Sequence, residues 1–313
     1  MGKTAFLFPG QGSQAVGMGK DFIEVYSASE KIFSEADNRL DYDLTKLIMN
    51  GPIETLTKTE NTQPALVTTS VAVLEALREK GITPDYTAGH SLGEYSALVA
   101  SGSMSFSDAV YAVRNRGLYM EEAVPAGEGA MAAIMGMDRD ELQKIVDDVS
   151  ESTDTVQLAN LNSPGQIVIS GAKAGVEKAS EVAKENGARR VIPLQVSGPF
   201  HSSLMKPAAE KMSAILDSIT ISDATVPVIA NVSAEPSTSA EEIKSNLLQQ
   251  IYSPVLFEDT IRKLMDLGVD RFIEVGPGNV LSGLVKKVNR RAFVHAVSTP
   301  EQLDQLMEKL GEE

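Results

Sequence analysis

Short apolar runs alternate along the chain with longer segments in which apolar residues recur every three or four positions. Residues 4–8 form the first run, and the clearest helical spacing spans residues 61–80, before Gly81. Further strands are predicted over residues 86–88, 226–230, 271–275 and 293–296, and further helices over residues 21–48 as consecutive short segments, 92–100, 105–124, 203–217, 240–250 and 257–267. This alternation predicts an α/β fold with a mostly parallel sheet covered on both faces.

The middle of the chain has a different order of elements, which begins after a Pro- and Gly-rich break at residues 125–129. The predicted strands are residues 130–135, 156–160, 166–170 and 190–193, and the predicted helices are residues 139–150 and 174–186. The resulting βαββαβ order is that of the ferredoxin-like split unit. We therefore expect an inserted ferredoxin-like subdomain over residues 127–196 and a large α/β catalytic domain formed by residues 1–126 and 197–313.

The sequence Gly89-His90-Ser91-Leu92-Gly93 lies where a short strand meets a helix. Glycines on both sides of a serine at such a turn have the form of a nucleophile elbow, which exposes the hydroxyl in a cleft and is typical of an α/β-hydrolase-like domain. The glycines are required because a Cβ atom there would clash where backbone segments come close together. A serine after a glycine turn is as common as a helix N-cap, so the motif alone leaves both interpretations open.

A second glycine-rich loop, residues 10–14, follows the first strand. A strand, a glycine loop and a helix in this order can provide a backbone anion site. The spacing of Gly10, Gly12 and Ala15 resembles a dinucleotide fingerprint, but Pro9 disturbs the turn. No acidic residue ends a second strand about 20 residues later, so a dinucleotide site is disfavoured.

Composition narrows the functional classes. Of the 313 residues, 42% are hydrophobic and 23% are charged, which is ordinary for a soluble globular protein. The absence of cysteine excludes disulfides and thiolate metal sites, and three histidines leave little for an imidazole site, so we expect no metal. A net charge of −15 argues against nonspecific nucleic-acid binding.

Targeting signals are not apparent either. No apolar run approaches the roughly 18 residues of a membrane span. Phe6 stands where a myristoylation signal needs Ser or Thr, and no signal-peptide segment follows. We therefore expect a cytoplasmic protein without a membrane partner.

A serine nucleophile needs a base that takes its proton. His90 is adjacent to Ser91, but neighbouring side chains at such a turn point apart, and His295 lies in an apolar strand that favours a structural role. His201 is therefore the favoured base, although a lone histidine is more often a surface or capping residue. No acidic residue stands out as the partner of His201, so a backbone carbonyl could hold the imidazole instead.

Arg116 lies on the helix predicted over residues 105–124 and could face the same cleft. Its planar guanidinium matches a carboxylate in a way that a lysine cannot. For the residue taken alone, a solvated arginine on a helix surface is the simpler interpretation.

Six sequence blocks, in order along nearly the whole chain, together resemble one enzyme family. The blocks are Phe8-Pro9-Gly10-Gln11-Gly12-Ser13-Gln14, Gly89-His90-Ser91-Leu92-Gly93-Glu94, Arg116-Gly117 with Met120, Asn160 with Asn162, Gly198-Pro199-Phe200-His201-Ser202, and Gln250 before Tyr252-Ser253-Pro254-Val255. The set resembles the malonyl-CoA:acyl carrier protein transacylases, the acyltransferases of bacterial type II fatty acid synthesis. These enzymes are related to the acyltransferase domains of polyketide and animal synthases.

The resemblance implies a role for each matching residue at the reacting centre. Ser91 is expected to carry the malonyl group, His201 to act as general base, and Arg116 to pair with the free malonyl carboxylate. The backbone N–H groups of Gln11 and Leu92 are expected to form the oxyanion hole.

The resemblance also assigns the residues around that centre. The carbonyl of Gln250 is expected to orient His201, and Asn160 and Asn162 are expected to border the cleft on the side of the insertion. Phe200 resembles the variant associated with malonyl rather than methyl-branched substrates. Pro199 departs from the small residue that the family usually has, which weakens the inference from Phe200.

The implied reaction is a ping-pong transfer of malonyl from malonyl-CoA to the phosphopantetheine thiol of acyl carrier protein, with no bound cofactor. The carrier proteins of this family are acidic, so cationic pairs are candidate docking residues, with a solvated surface as the alternative. These pairs are Arg189 and Arg190, Lys286 and Lys287, and Arg290 and Arg291. We expect a monomer.

Three other functions remain open from the sequence. A polyketide-type loading acyltransferase would use the same residues. An esterase or thioesterase would use the same elbow but pass the acyl group to water. A catalytically inactive module that only binds carrier protein is the alternative outside catalysis.

Overall fold

Two β-sheets organise residues 2–311, the part of the chain that the computed structural model describes. The strands are β1 (Lys3–Phe8), β2 (Tyr86–Gly89), β3 (Gly129–Met135), β4 (Val156–Ser163), β5 (Gln166–Ala172), β6 (Arg190–Pro193), β7 (Val228–Ile229), β8 (Pro236–Ser237), β9 (Val269–Val275) and β10 (Phe293–Val297). The larger sheet has the order β10-β9-β1-β2-β7-β8. All its pairs are parallel except β7 with β8, which confirms the predicted mostly parallel sheet.

Helices cover both faces of the larger sheet and one face of the smaller one. They are α1 (Lys20–Val25), α2 (Ser27–Leu40), α3 (Leu44–Asn50), α4 (Ile53–Leu56), α5 (Thr59–Glu79), α6 (Gly93–Ala100), α7 (Phe106–Glu122), α8 (Arg139–Ser152), α9 (Lys173–Glu185), α10 (Lys206–Ser218), α11 (Ala240–Gln250), α12 (Phe257–Asp266), α13 (Val280–Val288) and α14 (Pro300–Gly311). None of these helices is long and apolar enough to cross a membrane.

Strand β1 is central in the larger sheet, and this position explains why its residues form a continuous apolar run. Successive side chains of a strand point to opposite faces. Phe6 and Phe8 pack into the hydrophobic cluster on one face of the sheet, whereas Ala5 and Leu7 pack into the cluster on the other. A strand buried on both faces has no polar side to alternate with its apolar one.

Strands β3 to β6 and the helices α8 and α9 form a separate hydrophobic cluster. These elements follow the predicted βαββαβ order, and their antiparallel sheet has the order β4-β5-β3-β6. Strand β4 also pairs with the larger part of the chain, since Leu161 N–H donates to the carbonyl of Val255 and Val255 N–H donates to that of Ala159. The insertion is thereby joined to the segment that follows α11.

Several boundaries differ from the sequence predictions. Strand β7 is shorter than predicted, because Pro227 has no N–H to extend the ladder. A 3₁₀ turn, Ser203–Met205, precedes α10. Helix α14 was not predicted, although Leu303 and Leu306 are its buried residues and lie at helical spacing.

Candidate active site

The turn between β2 and α6 has the geometry of a nucleophile elbow. A Cβ atom on Gly89 would lie 2.0 Å from the carbonyl carbon of Gly93, and one on Gly93 would lie 2.3 Å from the carbonyl oxygen of Phe8. The glycines are thus required by close approach, as expected. The left-handed backbone of the turn belongs to Ser91, with φ of 53°.

Ser91 and His201 form a hydrogen-bonded pair. Ser91 Oγ lies 2.7 Å from His201 Nε2, and His201 Nδ1 lies 2.8 Å from the carbonyl oxygen of Gln250. Because a carbonyl only accepts, Nδ1 carries the proton and Nε2 is free to accept from the hydroxyl. Ser91 does not cap the helix, since α6 has Leu92 at its N-cap and no side-chain cap bond.

His201 is buried, and its loop is held from two sides. Ser202 Oγ donates to the Pro199 carbonyl over 2.6 Å, and Ser203 N–H donates to Gln157 Oε1 of β4 over 2.9 Å. The His201 backbone is left-handed, with φ of 57°. Burial, and after it the charge of Arg116, lower the pKa of His201 to about 3, so the imidazole is neutral at physiological pH.

The other two histidines are occupied elsewhere. His90 donates from Nε2 to Asn162 Oδ1 over 2.7 Å. His295 donates from Nε2 to the Gln302 carbonyl over 2.8 Å. Of the three imidazoles, only that of His201 contacts Ser91.

Arg116 is 1% exposed, so the interpretation as a solvated surface arginine is wrong. Its Nη2 donates to Ser91 Oγ over 3.1 Å and to Gln250 Oε1 over 2.9 Å, and its Nη1 donates to Gln63 Oε1 over 2.8 Å. Nε has no acceptor among residues 2–311. A buried guanidinium that contacts a serine hydroxyl is suited to receive an anionic group bound there.

A cavity of about 290 Å³ opens in front of the pair. Ser91, His201 and Arg116 reach it from three separate elements, and Gln11, Asn160 and Phe200 line it as well. The remaining lining residues are Gly12, Gln14, Thr57, Gln63, His90, Met120, Met131, Leu194, Gln195 and Val196.

Asn162 borders a second, adjoining cleft rather than this cavity. That cleft measures about 190 Å³ and lies between the loop of residues 10–13 and the first residues of α13, where Val280 is exposed. The two spaces share Gln11, Gly12 and His90. Asn162 is connected to the first cavity by its hydrogen bond to His90, which lines both spaces.

Two backbone N–H groups close in sequence to cavity-lining residues have no acceptor in the described part of the chain. Among residues 2–311, neither the N–H of Gln11 nor that of Leu92 donates a hydrogen bond, whereas the Ser91 N–H donates to Asn231 Oδ1 over 2.8 Å. Gln11 lines the cavity, and Leu92 follows the serine directly. This placement is the one that an oxyanion hole needs.

Three buried residues at the site were missed from the sequence. Asn231 bonds to both sides of the elbow, since its Nδ2 also donates to the Gly89 carbonyl over 2.7 Å. Gln63 accepts from Arg116, and Glu94 accepts from Gln250 over 2.7 Å. Glu94 lies in one of the quoted sequence blocks, but nothing in the sequence indicates its partner.

Comparison with known proteins gives consistent results over the whole chain. A model of the family described as acyl transferase domain matches residues 5–304. The malonyl CoA-acyl carrier protein transacylase of Bacillus subtilis is 63% identical over 100% of this chain and 99% of its own length. The enzyme of the same name from Staphylococcus aureus is 48% identical over 97% of this chain and 98% of its own.

Two solved structures have the same fold as this chain. An acyl carrier protein S-malonyltransferase from Vibrio cholerae superimposes with a TM-score of 0.95 at 44% identity, covering 97% of this chain and 99% of its own. A malonyl-transacylase in complex with a type II PKS acyl-carrier protein also has a TM-score of 0.95, at 42% identity, covering 98% of this chain and 99% of its own.

Proposed function

The chain belongs to the acyl transferase domain family, and from that membership we propose that it transfers malonyl from malonyl-CoA to acyl carrier protein for fatty acid synthesis. The observation that carries the proposal is the contact of one serine hydroxyl with both a neutral histidine and a buried arginine. Ser91 supplies the nucleophile, His201 supplies the base, and Arg116 supplies a partner for a carboxylate.

In the first half-reaction, Ser91 Oγ attacks the thioester carbon of malonyl-CoA while His201 Nε2 takes the hydroxyl proton. The carbonyl oxygen becomes an oxyanion, which the N–H groups of Gln11 and Leu92 stabilise. Loss of one such donor typically costs about 3 kcal/mol of transition-state stabilisation. The C–S bond then breaks, CoA leaves with the proton from His201, and malonyl-Ser91 remains.

In the second half-reaction, the phosphopantetheine thiol of acyl carrier protein attacks the malonyl-serine ester. His201 takes the thiol proton and returns it to Ser91 Oγ as the ester bond breaks. The same two N–H groups hold the second oxyanion, so one site serves both halves of a ping-pong reaction.

Arg116 selects the acyl group. Arg116 lines the cavity, so a malonyl carboxylate there would form a charge-assisted hydrogen bond with its guanidinium that an acetyl group cannot form. The same carboxylate would offset the positive charge that helps to lower the pKa of His201. Binding of the proper substrate would thus make the base stronger.

Asn160 and Phe200 line the cavity and are assigned to its walls, where Phe200 limits room for a branched acyl group. Asn162 is assigned to holding His90. We expect no metal or tightly bound cofactor, because each proton and charge in the two steps has a protein partner.

The carrier protein is expected to dock beside the second cleft. Lys287 Nζ donates to Gln166 Oε1, and Gln166 lines that cleft. Arg189 packs on Gly136, whose N–H donates to the carbonyl of Gly165, next to Gln166. Arg190 pairs with Met135 in the smaller sheet, and Lys286 Nζ donates to the carbonyls of Arg290 and Ala292. We assign Arg190, Lys286, Arg290 and Arg291 to the same docking surface, and none of the six cations is within 4.0 Å of a carboxylate among the described residues.

We assign residues 1–126 and 197–313 to an α/β-hydrolase-like catalytic domain and residues 127–196 to a ferredoxin-like insertion. The separate hydrophobic cluster of the insertion and its strand order support this division. We further propose a cytoplasmic monomer. A role in polyketide synthesis is the second candidate, because a structural neighbour at 42% identity is bound to a type II PKS carrier protein.

Intact-protein mass spectrometry after incubation with malonyl-CoA tests the function. The wild type is expected to gain one malonyl group at Ser91, the Ser91→Ala variant none, and addition of phosphopantetheinylated carrier protein is expected to remove it. Loss of the group at the same rate without carrier protein would indicate a hydrolase. No labelling at all would indicate an inactive binding module.

A further inference from the structure

Glu94 is a carboxylate buried beneath the site, with 3% exposure, and the proposed reaction does not use it. A single oxygen, Oε2, accepts from Gln250 Nε2 over 2.7 Å and from the Asn231 N–H over 3.1 Å. No ion pair joins Glu94 to a cation among residues 2–311. Burying a carboxylate without an ion pair costs free energy of folding. The hydrogen bonds that Glu94 accepts offset part of this cost, so we ask what they do for the site.

The side chain of Gln250 connects Glu94 to the reacting centre. Its Nε2 donates to Glu94 and also to the Ser91 carbonyl over 2.9 Å, whereas its Oε1 accepts from Arg116 Nη2 over 2.9 Å. Its main-chain carbonyl, separately, accepts from His201. One residue thus contacts the nucleophile, the base and the carboxylate-binding arginine.

The orientation of this amide is decided by its neighbours. A reversed amide would place its oxygen against two acceptors, the Glu94 carboxylate and the Ser91 carbonyl, and its NH₂ group against the Arg116 donors. Glu94 neither lines the cavity nor bonds to the Ser91 hydroxyl. Its hydrogen-bonded connection to Arg116 therefore passes through Gln250, whereas its second bond, from the Asn231 N–H, leads to the elbow.

We propose that Glu94 is a positioning residue that fixes the orientation of the Gln250 side-chain amide and thereby aims Arg116 at the acyl pocket. The inference rests on the proposed role of Arg116 as the partner of the malonyl carboxylate. The inference adds Glu94 to the residues that control acyl-group selection. Glu94 does not touch the substrate but determines how well Arg116 discriminates between acyl groups.

The bonding pattern specifies which substitution keeps this role. Both donors use Oε2, and Oε1 has no hydrogen-bond partner among the described residues. Glutamine can present its amide oxygen at the Oε2 position and its NH₂ group at the other. Glu94→Gln is therefore expected to retain the orientation of Gln250, whereas Glu94→Met, of similar length, removes the acceptor.

The test compares kcat and KM for malonyl-CoA and acetyl-CoA in Glu94→Met, Glu94→Gln and the wild type. Glu94→Met is expected to lower the malonyl-to-acetyl ratio of kcat/KM by about tenfold, mainly through a higher KM for malonyl-CoA, since a misaimed arginine loses binding geometry. Glu94→Gln is expected to restore the wild-type ratio. An unchanged ratio in Glu94→Met, or an equal loss in both variants, would overturn the inference.

Gln250→Met gives a second test that does not depend on the folding of Glu94→Met. It keeps the main-chain carbonyl that accepts from His201 but lacks the amide, so it is expected to show the same loss of selectivity. The double variant is expected to lose no more than either single one, because Glu94 acts through Gln250. Additive losses in the double variant, or unchanged selectivity in Gln250→Met, would refute the inference.

Two controls separate the possible failures. Glu274 is a comparably buried carboxylate that accepts from the N–H groups of Leu281 and Ser282, and Glu274→Met is expected to lower Tm without changing the acyl ratio. If Arg116→Ala leaves the ratio unchanged, the proposed role of the arginine fails. If Arg116→Ala abolishes selectivity and Glu94→Met does not, only the role of Glu94 fails.

Discussion

Arg116 Nη2 lies 3.1 Å from Ser91 Oγ, so the guanidinium touches the same hydroxyl that donates to His201. We therefore expect the carboxylate of a malonyl group on Ser91 to pair with the arginine. Arg116→Ala is expected to lower kcat/KM for malonyl-CoA by about a hundredfold, since a hydrogen bond between charged groups contributes up to about 3 kcal/mol. Rates of Ser91 acylation with malonyl-CoA and acetyl-CoA measure the effect.

Arg114, two residues earlier on α7, provides a matched control for Arg116→Ala. Its Nη1 donates to the Glu60 carbonyl and to Asn61 Oδ1, each over 2.7 Å, and it does not line the cavity. Arg114→Ala is expected to reduce stability while leaving the acyl preference intact. Equal losses for malonyl-CoA and acetyl-CoA in Arg116→Ala would contradict the carboxylate assignment.

The elbow is expected to tolerate no side chain at Gly93. A Cβ atom would lie 2.3 Å from the Phe8 carbonyl oxygen and 2.8 Å from that of Pro9, so the added methyl group would meet main-chain atoms of β1 and the loop after it. Gly93→Ala is expected to lower the free energy of unfolding by about 3 kcal/mol, as overpacking does. Gly283, on the exposed face of α13 with no atom within 4 Å of its Cβ position, is the control, and Gly283→Ala is expected to stabilise by up to about 1 kcal/mol.

Urea denaturation of both glycine variants measures the two free energies. A Gly93→Ala protein as stable as the wild type would mean that the close approach of the elbow to β1 is not rigid. The same measurement in Gly283→Ala reports only helix propensity, because nothing else in the surroundings changes.

The alternation of strands and helices could be predicted because each central strand is buried on both faces and each covering helix has an apolar stripe. Helix α14 shows the limit, since its two buried leucines are too few to mark a helix without a known sheet beside them. Pattern alone also left Ser91 undecided between nucleophile and cap. Only the resemblance of whole sequence blocks assigned roles to the residues at the site.

The contacts that support the site could not be predicted. Ser91 and Asn231 are 140 residues apart, and Glu94 and Gln250 are 156 residues apart. Pairings of that kind depend on how α11 and the end of β7 pack against the elbow, which neither spacing nor composition determines. Arg116 illustrates the same point, because its helix gives no sign that this arginine, rather than Arg114, faces the serine.

Glu94 is expected to make stability depend on pH. Burial is the main cause that raises its pKa from 4.5 to about 7 in the folded protein, so folding favours the protonated form. The stability that protonated Glu94 contributes to the folded state is fully present below about pH 4.5 and is lost as pH rises through about 7. Relative to Glu94→Gln, the wild type should lose up to about 3 kcal/mol of stability between pH 4.5 and pH 8.

Unfolding free energies of both proteins across this pH range test that expectation. His201 opposes the trend in both, because its lowered pKa makes the folded state less stable as pH falls below about 6.5, and the comparison removes its effect. A difference between wild type and Glu94→Gln that stays constant with pH would show that Glu94 is ionised normally.

The cationic surface beside the second cleft gives a prediction about the carrier protein. Arg189, Arg190, Arg290 and Arg291 are exposed and have no carboxylate partner within 4.0 Å in residues 2–311. Substitution of all four arginines by Glu is expected to raise KM for an acidic carrier protein about tenfold at low salt. The effect is expected to be smaller at high salt, because exposed charges mainly change the rate at which the two proteins associate and salt screens them. Acylation of Ser91 by malonyl-CoA measures whether the site itself is intact.

Lys144, exposed on α8, is the matched control for a change in net charge. Because the whole chain carries a charge of −15, adding negative charge anywhere repels an acidic partner to some degree. Only a local docking surface predicts that the arginine reversals act much more strongly, charge for charge, than Lys144→Glu. Equal effects per charge would show that the carrier protein responds to the overall field and docks elsewhere.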